Sequence, residues 1–334
     1  MEKRYESQNI SNFLEQDWIE YFIGLYKSIN RQLEEIMADG QQLVVSDIGL
    51  YPWDDLHFYH QKLGKCSYNS KNKEITTRNY SPDYNSDDFQ HYKYADKPVV
   101  WYKDFENRVE QTVEMLTKKF EEIGVGADLY RVTLMNLRNS FPAHTDGKDF
   151  ANKRLARPSY WPNVPKEEWY KEHPTVDFAH QGLITLIDEA GIGETIIFKQ
   201  RFPYSVYYQP TCTVETCFYP NKQRITILEN DNYQLYGHKI VNFTNQPMTN
   251  EDYDKIYSLV DDSYSPRYPI DAYYGLQIDK ILKWDTPGTL TQWDGKTFHM
   301  VKPWIQKESN LRLALQYETT EKENLTVQKE VANG

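Results

Sequence analysis

The sequence predicts a mainly β protein with N-terminal helices, in which a double-stranded β-helix, or jelly-roll, core carries helices packed on one of its sheets. Three observations carry that prediction. Apolar residues recur at three- and four-residue steps in two segments of the first third. After Gly126 the period falls to two and stays there through a succession of short segments. No linker, internal repeat or low-complexity tract divides the chain, so helices and strands are expected to share one domain over residues 1–334.

Taken in order, "NFLEQDWIEYFIGLYKSINRQLEEIM" places Leu14, Trp18, Tyr21, Leu25, Ile29, Leu33 and Ile36 on one stripe of a long helix. "QQLVVSDI" follows as a strand. Residues 51–100 are polar, tyrosine-rich and aperiodic, which predicts loops with little regular structure. A second helix is expected over 104–123, with Phe105, Val109, Val113, Leu116, Phe120 and Ile123 as its stripe and Gly124 as its stop. The N-terminal region 1–125 is thus expected to pack on a core spanning 126–320. That core would be built from "LYRVTLMNL", "GLITLID", "ETIIFKQ", "RITILEN", "KIVNF", "YGLQIDKIL", "GTLTQWD", "TFHMV" and "LRLALQYE". Asp294-Gly295, between two of these, reads as a tight hairpin. Insertions are expected near 147–178, 201–223 and 244–272, and a flexible tail over 321–334.

Length and composition bound the function. A chain of 334 residues can bury a sizeable core. No stretch approaches the roughly 18 consecutive apolar residues of a membrane span. The start, Met1-Glu2-Lys3-Arg4, is charged and leads into an amphipathic segment, which predicts no secretory leader. Cys66, Cys212 and Cys217 are too few for a disulfide scaffold, and the expectation is a reduced, cytoplasmic protein. A net charge of −11, with the acidic residues spread along the chain, disfavours wrapping of a nucleic-acid backbone, although a local basic groove stays open. The 27 tyrosines suit pleated, half-buried surfaces and also sugar- or base-binding grooves, and composition does not separate these uses.

The chemistry centres on "FPAHTDGKDF". On an extended segment His144 and Asp146 project to the same side while Thr145 points away. Imidazole with carboxylate suits Fe, Mn, Zn or Ni, and two histidines with one carboxylate on one face mark non-haem Fe(II) oxygenases. The plainer alternative is a polar turn in which Asp146 bonds backbone N–H groups. A third ligand is needed. His57 and His60 have a spacing that would serve only on a helix, His91 and His173 sit in polar segments, and His180 and His238 flank strands. His299, on "TFHMV" near the end of the β region, is the candidate. Arg312 follows on the next strand. There Leu311, Leu313 and Leu315 face one way and Arg312, Ala314 and Gln316 the other, so leucines packed on the helices would turn Arg312 inward. A buried guanidinium needs an anion, either a bound carboxylate or a permanent salt bridge.

In this order, "HTD", a β-rich stretch, "TPGTLTQWDGKTFHMV" and "LRLALQYE" resemble the Fe(II)/2-oxoglutarate-dependent oxygenase superfamily, and "ETIIFKQ" resembles a strand of its prolyl-hydroxylase-like members. The resemblance covers roughly residues 127–320. It implies Fe(II) held by His144, Asp146 and His299, 2-oxoglutarate as co-substrate with its far carboxylate on Arg312, and O2 as oxidant. It also implies a hydroxylase acting on a small molecule or amino-acid side chain. Asn136 is a candidate for co-substrate binding, against a strand-end turn role. Trp293 either lines the cavity or packs the sheet, and Arg154 and Arg157 either meet an anionic substrate or are solvated. The long gap from Asp146 to His299 departs from the pattern, and so does Ala314, where some relatives place a serine that helps hold 2-oxoglutarate. Asp146 itself disfavours halogenation, since halogenases of the superfamily have Gly or Ala there. The alternatives are a jelly-roll carbohydrate-binding protein and a metal-dependent cupin-like enzyme that does not use 2-oxoglutarate. The loops 147–178 and 244–272 are expected to close over the substrate.

Overall fold

A computed structural model describes residues 5–37, 43–51, 56–60, 64–69, 74–78, 89–93, 102–125, 127–137, 142–150, 175–191, 193–208, 224–225, 234–235, 238–260, 267–284, 286–304 and 311–321. These residues are mainly β, in two large sheets with antiparallel ladders, and carry three α-helices. The described exception to antiparallel pairing is Tyr207–Tyr208 beside Arg224–Ile225.

Helix α1 (Gln16–Met37) and helix α2 (Tyr102–Glu122) match the two amphipathic segments. The buried stripe of α1 is rotated from the expected one: Ile19, Phe22, Tyr26, Ile29 and Leu33 are buried, while Trp18, Tyr21 and Leu25 are half-buried beside them. Both runs have helical spacing, so periodicity alone could not choose between them. Helix α2 ends where Gly124 enters the left-handed region at φ 77°, with Val125 N–H returning to the Phe120 carbonyl at 2.8 Å.

The larger sheet has eleven strands. It contains β1 (Gln8–Ile10), β2 (Leu43–Tyr51), β3 (Leu56–His60), β4 (Gly64–Asn69), β5 (Glu74–Arg78), β6 (Phe89–Lys93) and β7 (Ala127–Asn136). Strands β9 (Lys148–Phe150), β10 (Thr175–Asp188), β17 (Leu290–Asp294) and β19 (Arg312–Glu321) complete it, in the order β1-β17-β10-β19-β7-β2-β3-β4-β5-β6 with β9 on β10. The loops expected over 51–100 are therefore corrected. Four strands lie there, and their described core contribution is only Leu56, Phe58 and Cys66. Few apolar residues at alternate positions, set among Tyr, Thr and His, leave no readable period.

The smaller sheet has six strands: β8 (His144–Asp146), β11 (Glu194–Arg201), β12 (Ser205–Tyr208), β13 (Arg224–Ile225), β16 (Ile278–Lys283) and β18 (Thr297–Val301). Their order is β13-β12-β8-β18-β11-β16. The chain alternates between sheets: β7, β10, β17 and β19 are in the larger, and β8, β11, β16 and β18 in the smaller. Asp294-Gly295 accordingly is not a hairpin turn between paired strands. It carries the chain from β17 in one sheet to β18 in the other, because dipeptide chemistry specifies a turn and not the partner of the strand after it. The predicted strand at 239–243 reduces to β15 (His238–Lys239), paired with β14 (Gln234–Leu235), and a single bridge from Val241 to Arg201.

Two apolar clusters back the sheets and a third lies between them. Leu313, Leu315 and Tyr317 of β19 meet Phe22, Ile29 and Leu33 of α1 and Leu116 and Phe120 of α2. The leucine face of "LRLALQYE" is thus covered by the helices. Between the sheets Leu183, Ile197, Trp293, Val301 and Ala314 form a smaller cluster with Trp284 and Trp304. The 244–272 segment is not a lid in its described part. Helix α3 (Asn250–Tyr257), capped by Thr249, buries Ile256 and Tyr257 with Tyr273, Phe198, Phe298 and Met300. Those strand residues alternate with Ile197 and His299, so α3 covers the outer face of the smaller sheet. Residues 151–174, 209–223, 261–266 and 322–334 lie outside the described residues, and with them Arg154, Arg157, His173, Cys212, Cys217 and nearly all of the expected tail.

Candidate metal centre

Strand β8 is short and lies between β12 and β18, where His144 pairs in register with His299. Alternation then puts Asp146 on the same face as His144, and the three side chains converge. Their ligand atoms lie within 4.8 Å of one another, and no other such group of His, Cys, Asp and Glu exists among the described residues. His299 Nε2 is 3.1 Å and His144 Nε2 3.5 Å from Asp146 Oδ2.

The backbone fixes both imidazoles. His144 Nδ1–H donates to the Pro142 carbonyl at 2.7 Å and His299 Nδ1–H to the Thr297 carbonyl at 3.0 Å. A carbonyl can only accept, so each ring carries its proton on Nδ1 and turns the Nε2 lone pair toward Asp146. Burial raises the Asp146 carboxyl, but His144 first and His299 next, by charge and by hydrogen bonding when their Nε2 atoms are protonated, outweigh it and hold the group well below the usual carboxylate range; a bound metal would take the place of those Nε2 protons. The strand that carries Asp146 runs close to other backbone: its N–H donates to the Gly295 carbonyl at 2.9 Å. A Cβ on Gly147 would stand 2.4 Å from the Pro203 carbonyl oxygen, which is why a glycine follows "HTD".

Arg312 lies at the start of β19, buried, facing the space between the sheets with Ala314. Its guanidinium carbon is 3.9 Å from the Trp304 ring centre and 5.2 Å from that of Trp284. Nε–H donates to Asp188 Oδ1 at 3.2 Å, while Asp188 Oδ2 accepts the Gly193 N–H at 2.7 Å. Nη1 and Nη2 are buried without a hydrogen-bond partner among the described residues. Burial pulls this guanidinium below its ordinary value, and Asp188 opposes that shift. The salt-bridge alternative and the anion-site alternative thus coexist: one edge is held, and the terminal nitrogens are left over.

Asn136 is not brought to this face. It pairs in register with Leu313, and its Nδ2 donates to the Tyr26 hydroxyl of α1 at 2.8 Å, on the helix side of the larger sheet. Two polar residues that sequence reading missed stand opposite this strand: Asp188, in register with Arg312, and Thr185. Thr185 pairs in register with Ala314 and is buried, and its hydroxyl has no partner among the described residues. Alternation along "GLITLID" puts Thr185 and Leu183 on one side, but only the cross-strand register places Thr185 next to Ala314. Trp293 both packs and lines the site, its ring 4.8 Å from that of His299. His180 is excluded from the metal group, since its Nε2 lies 2.7 Å from Gln292 Oε1 and near Tyr317 on the helix side. His57 lies on β3, where the helical spacing with His60 does not arise. Comparison with protein-family models and with curated proteins gives no match.

Proposed function

We infer that the protein is an Fe(II)- and 2-oxoglutarate-dependent dioxygenase, with the alternating strands forming a double-stranded β-helix. The observation that carries this reading is the pairing of a His-Asp-His face with a buried arginine whose terminal nitrogens lack partners, both turned into the space between the sheets. The donor set fits iron. Two neutral imidazoles and one carboxylate, all on the two central strands of the smaller sheet, give the mixed nitrogen-oxygen face on which such oxygenases leave positions open. His144, Asp146 and His299 would hold the metal, and Arg312 with Thr185 the far carboxylate of 2-oxoglutarate. Thr185 supplies the hydroxyl that Ala314 does not.

Bound iron with 2-oxoglutarate and dioxygen supplies the oxidation of a substrate C–H bond, with succinate and CO2 as co-products. The chain's own part is positional. Asp188 and the two tryptophans fix the Arg312 plane, and the planar fork offers paired N–H groups to a carboxylate. Trp293, Val301 and Leu183 give the intervening space apolar walls. The carbonyls of Pro142 and Thr297 keep both imidazoles in the ligating tautomer.

Anaerobic titration with Fe(II) and then 2-oxoglutarate tests the reading. The expected outcome is a weak visible charge-transfer band that requires both additions and is lost in His299→Ala, with the circular dichroism spectrum unchanged. A band retained in that variant would remove His299 from the metal.

A further inference from the structure

At the metal end of the larger sheet four residues pair in register across four adjacent strands. Trp293 on β17 faces Gln181 on β10, Gln181 faces Glu318 on β19, and Glu318 faces Arg131 on β7. Directly paired residues share a sheet face, and Trp293 lies against His299, so the row looks into the site. Gln181, Glu318 and Trp293 are all at least nine-tenths buried. Among the described residues Gln181 Nε2 and Oε1, Trp293 Nε1 and Glu318 Oε2 have no hydrogen-bond partner. Glu318 Oε1 is used by Arg131 at 2.5 Å, an ion pair that makes the row neutral. Glu318 raises the Arg131 guanidinium above its ordinary value against the opposing effect of burial, and Asp146 adds to the rise more weakly.

We propose that this row is the substrate-recognition strip and that it selects a carboxamide group. The inference rests on the dioxygenase reading for what happens next, but the selection follows from donors and acceptors. Buried polar atoms left without partners cost free energy, so the preferred ligand is the one that meets them all. A carboxamide N–H2 can donate to Glu318 Oε2 and Gln181 Oε1, while its carbonyl accepts from Gln181 Nε2 and Trp293 Nε1. A carboxylate would set its charge against Glu318 and leave Gln181 Oε1 without a donor. An ammonium would leave the Trp293 and Gln181 N–H groups without an acceptor. The same argument separates the strip from the co-substrate: a dicarboxylate belongs at Arg312, at the opposite end of β19.

Saturation-transfer NMR on the full chain tests this, with L-asparagine and L-glutamine compared against L-aspartate and L-glutamate. It is run on the metal-free protein and again after anaerobic loading with Fe(II) and 2-oxoglutarate. The expected result is that at least one carboxamide binds roughly tenfold or more tighter than its matched acid, the scale of one buried hydrogen-bonding group. Gln181→Leu, and Gln181→Met should the first variant melt early, should remove that preference while leaving the charge-transfer band in place. Equal or tighter binding of the acids, no binding of any probe in either state, or a preference that survives at position 181 overturns the assignment. The metal-free arm keeps it separate from the dioxygenase reading: a missing band speaks against iron chemistry, and the preference is still read.

Discussion

Arg312 carries more N–H groups than its described neighbours accept, and that imbalance is what makes it informative. Losing one partner of a buried charge-assisted pair typically costs about 2–5 kcal/mol, or roughly 30- to several-thousand-fold in affinity. Arg312→Leu should therefore weaken 2-oxoglutarate binding by at least roughly that lower factor with iron affinity unchanged, and Arg312→Lys should fall between, since an ammonium keeps the charge but not the fork. Isothermal titration and iron content on the same proteins check it; normal 2-oxoglutarate binding with a lowered melting temperature would make Arg312 a structural partner of Asp188 alone. Thr185→Val removes one hydroxyl and should weaken 2-oxoglutarate by about fivefold, near 1 kcal/mol. His144 and Asp146 were legible in the sequence because alternation along one strand turns them to one side, and Arg312 because the leucines flanking it face the other way; His299 was picked out by its place late in the β region and by the order of motifs in the oxygenase resemblance. Thr185, Asp188 and Gln181 were not legible, because their meaning comes from which residue of another strand stands opposite.

At the scale of elements, β8 and the turn at Asp294 act together. Asp294 accepts N–H groups from Tyr5 at 3.2 Å, from Lys296 at 2.9 Å and from Arg201 at 3.1 Å, and the next residue, Gly295, accepts the Asp146 N–H. Breaking a buried ion pair from one side costs about 3–5 kcal/mol. Asp294→Ala should lower the urea midpoint accordingly and also weaken iron, whereas Arg201→Met, which keeps the backbone contacts of Asp294, should cost stability with less effect on iron. Gly147→Ala should cut iron affinity more than it cuts stability, because the Pro203 carbonyl can be avoided only by moving the strand end that holds Asp146; a variant with wild-type iron affinity would show that the strand end gives way freely. The Asp294-Gly295 turn was plain in the sequence. Its crossing between sheets was not, because both flanking strands are buried throughout and a uniform pattern does not say on which side a neighbour lies.

Over the whole molecule, the helices, the larger sheet, the site, the smaller sheet and α3 stack in succession, and the first layer comes from residues before 126. Phe22, Ile29, Leu33, Leu116 and Phe120 cover Leu313, Leu315 and Tyr317, all of them almost fully buried. Uncovering them exposes several large side chains, each worth about 1.5–3 kcal/mol when buried, against a total stability of about 5–15 kcal/mol. A chain beginning at residue 126 should be insoluble or lack a cooperative melt; a sharp thermal transition together with 2-oxoglutarate turnover would show that the β region stands alone. The helices were legible because a covered stripe repeats every turn. Strands β3 to β6 were not, since a sheet extension with few apolar anchors resembles a polar loop in one dimension.

Each metal-facing histidine is oriented by a carbonyl two residues earlier in its own chain segment, Pro142 for His144 and Thr297 for His299. At Nδ1 of both rings that task falls to the main chain. Peptide carbonyls are groups that every sequence possesses, so these two contacts do not drift by substitution. Substitutions elsewhere in the lining, at Gln181 for example, leave these two contacts in place, so what the site recognises could change while the His-Asp-His face keeps its geometry.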